Sequence, residues 1–74
     1  MKNYYEILKD LREDNDKTQA EIAEILEITR SQYQLYESGK RQFKLQHIIK
    51  LCLYYNVSAD YVLGLPNGLK YPKR

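Results

Sequence analysis

The sequence has few residues of the kinds that cross-link, break or anchor a chain. Its 74 residues include one cysteine, Cys52, which cannot form an intrachain disulfide, and one histidine, His47. One cysteine and one histidine cannot complete a tetrahedral zinc site. No apolar run approaches the roughly 20 residues of a membrane span, and the residues after Met1 do not form an apolar signal segment. We therefore expect a cytoplasmic protein that is stabilised by packing and carries no metal or cofactor.

Residues that break helices and patterns that indicate β-strands are also scarce. Glycine occurs three times and proline twice, tryptophan is absent, and no segment alternates apolar with polar residues. The chain is 43% hydrophobic and 30% charged, which is the composition of one compact soluble domain rather than of a disordered segment. The fold class expected is all-α.

Five helices are predicted from apolar spacing and start signals. The first has Tyr4, Ile7, Leu8 and Leu11 on one face. Capping boxes at Thr18-Gln19-Ala20-Glu21 and Thr29-Arg30-Ser31-Gln32 start the second and third helices. In the fourth, the spacing predicts that the apolar face consists of Leu45, Ile48, Ile49, Cys52 and Tyr55. The predicted ranges are 3–14, 18–27, about nine residues from 29, 45–55, and a last short helix from Ser58 to Leu63.

The second and third helices are joined too tightly to lie antiparallel. Only residues 27–29 connect them, so they must cross steeply, and two short helices that cross over a tight turn form a helix-turn-helix. In this arrangement the polar first turn of the second helix of the motif enters the major groove of DNA. Here that turn is Arg30, Ser31 and Gln32.

Charge is unevenly distributed along the chain. Residues 1–27 have a formal charge of −4 and residues 28–74 have +6. This asymmetry is typical of a polyanion-binding face, although two halves of opposite charge can also simply attract each other.

The motifs together resemble a known family. Thr18-Gln19-Ala20-Glu21-Ile22-Ala23, then Tyr36-Glu37-Ser38-Gly39-Lys40-Arg41, then Val57-Ser58-Ala59-Asp60-Tyr61-Val62-Leu63-Gly64 resemble, in this order and spacing, the Cro/repressor-type (XRE), lambda-repressor-like helix-turn-helix domain. The resemblance implies a compact five-helix domain over residues 1–65. Gly64 and Pro66 end the last helix, so residues 66–74 are expected to form a short, mobile C-terminal tail. It also implies that the third helix binds double-stranded DNA and that a homodimer occupies a near-palindromic site.

The resemblance also implies roles for individual residues. Arginine can donate two hydrogen bonds to guanine, and glutamine can form two hydrogen bonds with adenine. The side chains of the third helix therefore suit base recognition. The implied base contacts are Arg30, Ser31, Gln32, Gln34 and Leu35. The implied phosphate contacts are Thr18, Gln19, Lys40, Arg41 and Lys44. The implied structural ion pair between the first and third helices is Arg12 with Glu37.

Two positions depart from the family pattern. Glu27 stands where many relatives have a glycine in the turn, and a non-glycine residue at positive φ costs on the order of 1 kcal/mol. Phe43 replaces a proline that often follows the basic pair, so the connector is either less rigid or gains a core residue. His47 and Cys52 are expected at the surface and in the core of the fourth helix, respectively.

The tyrosines of the last third are expected to be ordinary core or half-buried residues. A minority of them, around the fifth helix, are candidates for contact with a second subunit. These tyrosines are Tyr54, Tyr55, Tyr61 and Tyr71.

Two functions remain open. The first is a sequence-specific transcriptional regulator, either whole or as the DNA-binding part of a longer chain. The second is a helix-turn-helix scaffold that binds a protein, as an antitoxin-like or adaptor module. An apolar exposed patch on the third helix would favour the second. No arrangement of paired carboxylates, Cys/His or Ser/His residues suggests an enzyme, and no small-molecule ligand is evident.

Overall fold

The computed structural model describes residues 2–66, and all regular structure in this part of the chain is helical. The all-α class and the five predicted helices are confirmed. None of these helices is long and apolar enough to cross a membrane. Of the predicted tail at 66–74, only Pro66 is among the described residues, and the prediction for Tyr71 also lies outside them. The helices are α1 (Tyr4–Asp14), α2 (Gln19–Leu26), α3 (Arg30–Glu37), α4 (Leu45–Tyr55) and α5 (Ala59–Leu63).

Both predicted capping boxes start their helices. The Thr18 hydroxyl accepts the Glu21 N–H at 3.1 Å, and the Glu21 carboxylate accepts the Thr18 N–H at 3.0 Å. Thr29 and Gln32 exchange the same pair of bonds at 3.1 and 2.9 Å. Each box satisfies two backbone donors that a helix start leaves unpaired, which fixes where α2 and α3 begin.

Left-handed residues end several helices. Glu27 has φ 59°, so the turn keeps the backbone conformation that a glycine would adopt more cheaply. Asn56 ends α4 at φ 57°, and Gly64 ends α5 at φ 71°. The expected strain at Glu27 is therefore present in the fold, while the turn itself is preserved.

The core draws on every helix. Phe43 is buried, and its ring stacks on Tyr36 at a centroid distance of 5.2 Å and meets Tyr33 edge-on at 6.0 Å. Of the two outcomes expected at Phe43, the connector between α3 and α4 has thus gained a core residue. The buried apolar residues are Leu8, Ile22, Ala23, Leu26, Tyr33, Tyr36, Phe43, Ile48, Leu51, Cys52 and Val62.

The fourth helix faces the core differently from the prediction. His47 was expected at the surface but is only 5% exposed and meets the Tyr36 ring at 5.5 Å. Leu45 and Ile49 were expected in the core but are exposed, while Leu51 is fully buried. The apolar residues of α4 form two adjacent rows with helical spacing, and only the packing of the other helices decides which row is covered. Burial, with Lys44 and Lys50 nearby, lowers the pKa of His47.

Of the two glycines among the described residues, Gly39 is the one whose replacement should cost more. Its φ is 81°, and a Cβ added there would lie 2.6 Å from Cζ of Tyr5. We expect Gly39→Ala to lower the free energy of unfolding by about 1–3 kcal/mol, because the left-handed backbone and the ring contact both oppose a side chain. Urea unfolding measures the change. In a Tyr5→Ala background the cost should fall to the roughly 1 kcal/mol of the backbone alone, and an equal cost in both backgrounds would contradict the ring contact.

Candidate nucleic-acid interface

The turn between α2 and α3 is built from local backbone bonds. The left-handed Glu27 lets the Ile28 N–H donate to the Ala23 carbonyl at 3.0 Å, which closes the end of α2. Thr29 then caps α3 immediately. The two helices contact each other more extensively than any other pair of helices, so they form one packed unit.

The first turn of α3 projects from this unit. Arg30, Ser31 and Gln32 are all exposed, and the turn contains no acidic residue. Among residues 2–66, the Arg30 side chain forms no hydrogen bond and no ion pair. A guanidinium that is exposed and uncommitted at a helix start is free to bind an acceptor on a partner.

Gln32 is both a capping residue and a predicted base contact. Its Oε1 accepts the Thr29 N–H at 2.9 Å, so the side chain that is predicted to contact a base also caps its own helix. Pairing with adenine uses both the carbonyl and the amide of glutamine. A full pairing would share Oε1 between the Thr29 N–H and the adenine amino group, which its two lone pairs allow, whereas a single bond through Nε2 leaves Oε1 to the cap.

The remaining predicted base contacts lie further along the same exposed side. Gln34 is exposed and Leu35 is half-buried. The Leu35 carbonyl accepts the Arg41 N–H at 3.1 Å and the Ser38 hydroxyl at 3.1 Å. These bonds fold the basic connector back against the end of α3.

Three cations stand beyond the end of α3. Lys40, Arg41 and Lys44 are exposed, and Lys44 is the N-cap residue of α4. The bond from Arg41 to Leu35 keeps the first two close to α3. The exposed side of α3 thus begins with a guanidinium and ends beside a basic connector, an arrangement suited to a groove flanked by phosphates.

An ion pair joins α1 to α3 beneath this surface. The Arg12 guanidinium donates from Nε and Nη2 to the two carboxylate oxygens of Glu37 at 2.9 and 3.0 Å. Its Nη1 donates to the Lys17 carbonyl at 2.7 Å. The side chains are only 12% and 3% exposed, so the structure brings the predicted pair together in a nearly buried position.

The charge on Glu37 is held by its neighbours. Burial alone would raise its pKa, but hydrogen bonds from Arg12 and from Gln19 outweigh burial and hold the pKa below its usual value. The same pair raises the pKa of Arg12. The Tyr33 hydroxyl is buried nearby without a hydrogen-bond partner among the described residues, and burial raises its pKa. Glu37 is therefore ionised in the folded domain at neutral pH.

Gln19 is tied to this ion pair. Its Nε2 donates to Glu37 at 3.1 Å, which directs the carboxamide toward α3. The N–H groups at the start of α2 that Thr18 does not cap remain as donors for a phosphate, together with the second Nε2 hydrogen. Thr18 itself is exposed, but its hydroxyl accepts the Glu21 N–H.

A cleft beside Gln19 includes a cation that the sequence analysis missed. The cleft has a volume of about 200 Å³ and is lined by Lys9, Arg12, Gln19, Gln34, Glu37 and Ser38. Lys9 lies on acidic α1, far in sequence from the basic segments, so only the packing of α1 on α3 places it beside Gln19 and Gln34. No local signal in the sequence could have indicated this position.

This geometry defines a class of protein. Two short helices cross over a tight left-handed turn, and the second presents an exposed polar turn and is followed by cations. These are the features of a helix-turn-helix DNA-binding unit. Residues 2–66 contain no group of three His, Cys, Asp or Glu side chains that could hold a metal ion.

Comparison with known proteins gives the family. The family model described as Helix-turn-helix, HTH_3, matches residues 8–62. The chain is 36% identical over 62 residues to the uncharacterised HTH-type transcriptional regulator YobD of Bacillus subtilis (strain 168). That alignment covers 84% of this chain but 55% of YobD, so the chain spans about half the length of its curated relative. No solved structure matches closely. The chain belongs to the XRE-type helix-turn-helix family of DNA-binding proteins, as the sequence motifs predicted.

Proposed function

We propose that this chain is the sequence-specific, double-stranded-DNA-binding part of a transcriptional regulator that acts in the cytoplasm. The observation that carries the proposal is the exposed first turn of α3, where the Arg30 guanidinium is uncommitted and no acidic residue repels DNA. The relative YobD is named as a transcriptional regulator, which supports the same conclusion. The proposal assigns no catalysis to the chain.

Each of the predicted site residues has a role in this proposal. Arg30, Ser31 and Gln32 contact bases in the major groove, and Gln34 and Leu35 extend that contact along α3. Lys40, Arg41 and Lys44 contact phosphates beyond the end of α3, while Thr18 and Gln19 contact a phosphate at the start of α2. Arg12 and Glu37 hold α1 and α3 together and do not touch DNA.

The operator is proposed to be a near-palindrome occupied by a homodimer. A single α3 of eight residues can reach only a few base pairs. Two copies related by a two-fold axis read two half-sites about 34 Å apart, one helical turn of DNA, which doubles the sequence information.

Selection from a random duplex library tests the proposal. The intact protein should enrich a two-fold symmetric site, and an Arg30→Ala, Gln32→Ala double mutant should lose that enrichment. Circular dichroism controls for folding of both proteins. If no sequence is enriched, and the weak binding that remains vanishes at physiological salt, the regulator proposal fails. The exposed side of α3 would then be tested for protein partners, although it offers no large apolar patch.

Binding should depend steeply on salt through the cations beyond the end of α3. Each phosphate contact releases counterions, so replacing Lys44 by alanine should reduce the slope of log K against log salt by about 0.9. Affinity should fall about equally on selected and unrelated duplexes, because phosphates carry no sequence information. Lys50→Ala is the matched control, since Lys50 lies on the same helix near Glu27. Equal slopes for Lys44→Ala and the wild type would contradict the assignment of Lys44.

A further inference from the structure

The fourth helix leaves an apolar row without a partner. Leu45, Ile49 and Leu53 are 70%, 52% and 78% exposed, and they recur every four residues along α4. The adjacent row, which includes Ile48, Leu51 and Cys52, packs into the core. We call the exposed row of Leu45, Ile49 and Leu53 the α4 row. Single exposed apolar residues need no explanation, but three aligned on one helix mark an interaction surface.

The α4 row is symmetric about its centre. Leu45 and Leu53 each lie four residues, or about 6 Å of helix rise, from Ile49. When two copies of α4 cross antiparallel on a two-fold axis at Ile49, Ile49 meets its own equivalent and Leu45 meets the partner's Leu53. A surface that pairs with itself in this manner is the requirement for an isologous dimer.

The area of the α4 row suits a weak dimer. The three exposed fractions together equal about two fully exposed aliphatic residues, an apolar patch on the order of 400 Å². Because apolar atoms make up roughly 60% of such interfaces, the whole contact would bury about 1,300 Å² over both copies, near the lower end of the roughly 1,200–2,000 Å² of specific interfaces. Association of this size is weak in free solution, and binding to adjacent half-sites on DNA strengthens it.

Charge favours the antiparallel arrangement. The segment of α4 has no acidic residue, and its last turn has no basic residue to offset the negative end of the helix dipole. In an antiparallel pair the positive N-terminal end of each α4 approaches the negative carbonyl end of α4 in the other copy. A parallel pair would instead place the two Lys44 side chains together, where they repel.

We propose that the α4 row is the surface through which two copies of this chain associate, with Ile49 on the two-fold axis. The proposal deepens the proposed function and rests on it for the role of the dimer, which aligns two α3 helices on a palindrome. It differs from the expectation that tyrosines around α5 contact the second subunit.

Substitution at the axis tests the interface. Ile49→Glu places two carboxylates at the two-fold axis, so concentration-dependent dimerisation in sedimentation should be lost. On a duplex with two half-sites we expect the wild type to bind with at least about tenfold cooperativity, and Ile49→Glu should abolish it while affinity for a single half-site stays within about twofold. Tyr61→Glu, an equally drastic change at an exposed position of α5, should leave dimerisation intact. Circular dichroism controls for folding of each variant.

Cross-linking tests the geometry independently. In a Cys52→Ala background, Ile49→Cys should oxidise to a covalent dimer, because residues at the axis bring their Cα atoms within the roughly 4.4–6.8 Å of a disulfide. Leu45→Cys should cross-link with Leu53→Cys when the two variants are mixed, and neither should do so alone. Rapid self-cross-linking of Leu45→Cys would overturn the antiparallel arrangement.

The outcomes separate the surface from the DNA-binding function. A chain that dimerises through Ile49 but selects no duplex supports the α4 row and refutes the regulator proposal. A chain that selects a duplex but stays monomeric, with no cooperativity for Ile49→Glu to remove, overturns the α4 row and leaves the regulator proposal standing. Loss of dimerisation in Tyr61→Glu alone would also overturn it, in favour of α5.

Discussion

Replacing Arg12 by leucine is expected to destabilise the domain by about 3–5 kcal/mol, because it leaves the Glu37 carboxylate buried without its partner. A chain of 74 residues has a total stability on the order of 4–11 kcal/mol, so the loss is a large part of it. The melting temperature should fall by roughly 15 °C or more. Urea unfolding and a thermal melt measure both quantities.

The pH dependence of this loss has a definite sign. In the wild type the pKa of Glu37 is lowered, so its contribution is complete above the ordinary glutamate pKa of 4.5 that applies in the unfolded chain, and it is lost as the pH falls through the lower folded pKa. In Arg12→Leu the unpaired, buried carboxyl should have a raised pKa, so acid neutralises it and restores stability. The difference in stability between the two proteins should therefore narrow between pH 7 and pH 4.

The double variant separates the charge from the packing. In Arg12→Leu with Glu37→Leu no buried charge remains, and most of the lost stability should return. Gln19 loses its acceptor in this variant but can hydrogen-bond to water at its half-buried position. If the double variant is as unstable as Arg12→Leu, or if the difference at pH 4 equals that at pH 7, the buried ion pair is not the cause. Loss of DNA binding by Arg12→Leu at a temperature where it unfolds would say nothing about DNA contact.

The features that the sequence predicted correctly are those that depend only on residues close together in the sequence. The capping boxes at Thr18 and Thr29 are satisfied within four residues, so the starts of α2 and α3 follow from local hydrogen bonding alone. The turn at Glu27 is equally local, because only residues 27–29 separate the end of α2 from the start of α3. The fold class and the position of the helix-turn-helix needed no knowledge of the rest of the chain.

The features that the sequence could not predict depend on distant packing. Either apolar row of α4 satisfies the helical spacing, and only the positions of the other helices bury Leu51 and expose Ile49. His47 is polar and was expected outside, but the rings of Tyr36 and Phe43 occupy that side of α4. Lys9 reaches the cleft beside Gln19 for the same reason. Such positions depend on how the helices pack together, so the spacing of residues along the sequence does not predict them.

Replacing Gln32 by glutamate is expected to change stability and DNA affinity in opposite directions. Glutamate at this position can still accept the Thr29 N–H, and its charge is favourable at a helix start by about 0.3–1 kcal/mol. The same carboxylate loses the Nε2 donor and faces the acceptors and phosphates of DNA. Since one good bidentate base contact is worth about 1–3 kcal/mol, affinity for the selected half-site should fall roughly 5- to 150-fold.

Opposite signs make this variant a cleaner test of base contact than truncation. Gln32→Ala removes the cap and the base contact together, so weaker binding could arise from a frayed α3, whereas Gln32→Glu keeps the helix start intact. Gln46→Glu makes the same change of charge at an exposed position of α4 and should bind a single half-site within about twofold of the wild type. Melting temperature and half-site affinity are the two measurements. Tight, selective binding by Gln32→Glu would show that Gln32 serves the helix and not the DNA, and would leave Arg30 to carry the base recognition of the first turn.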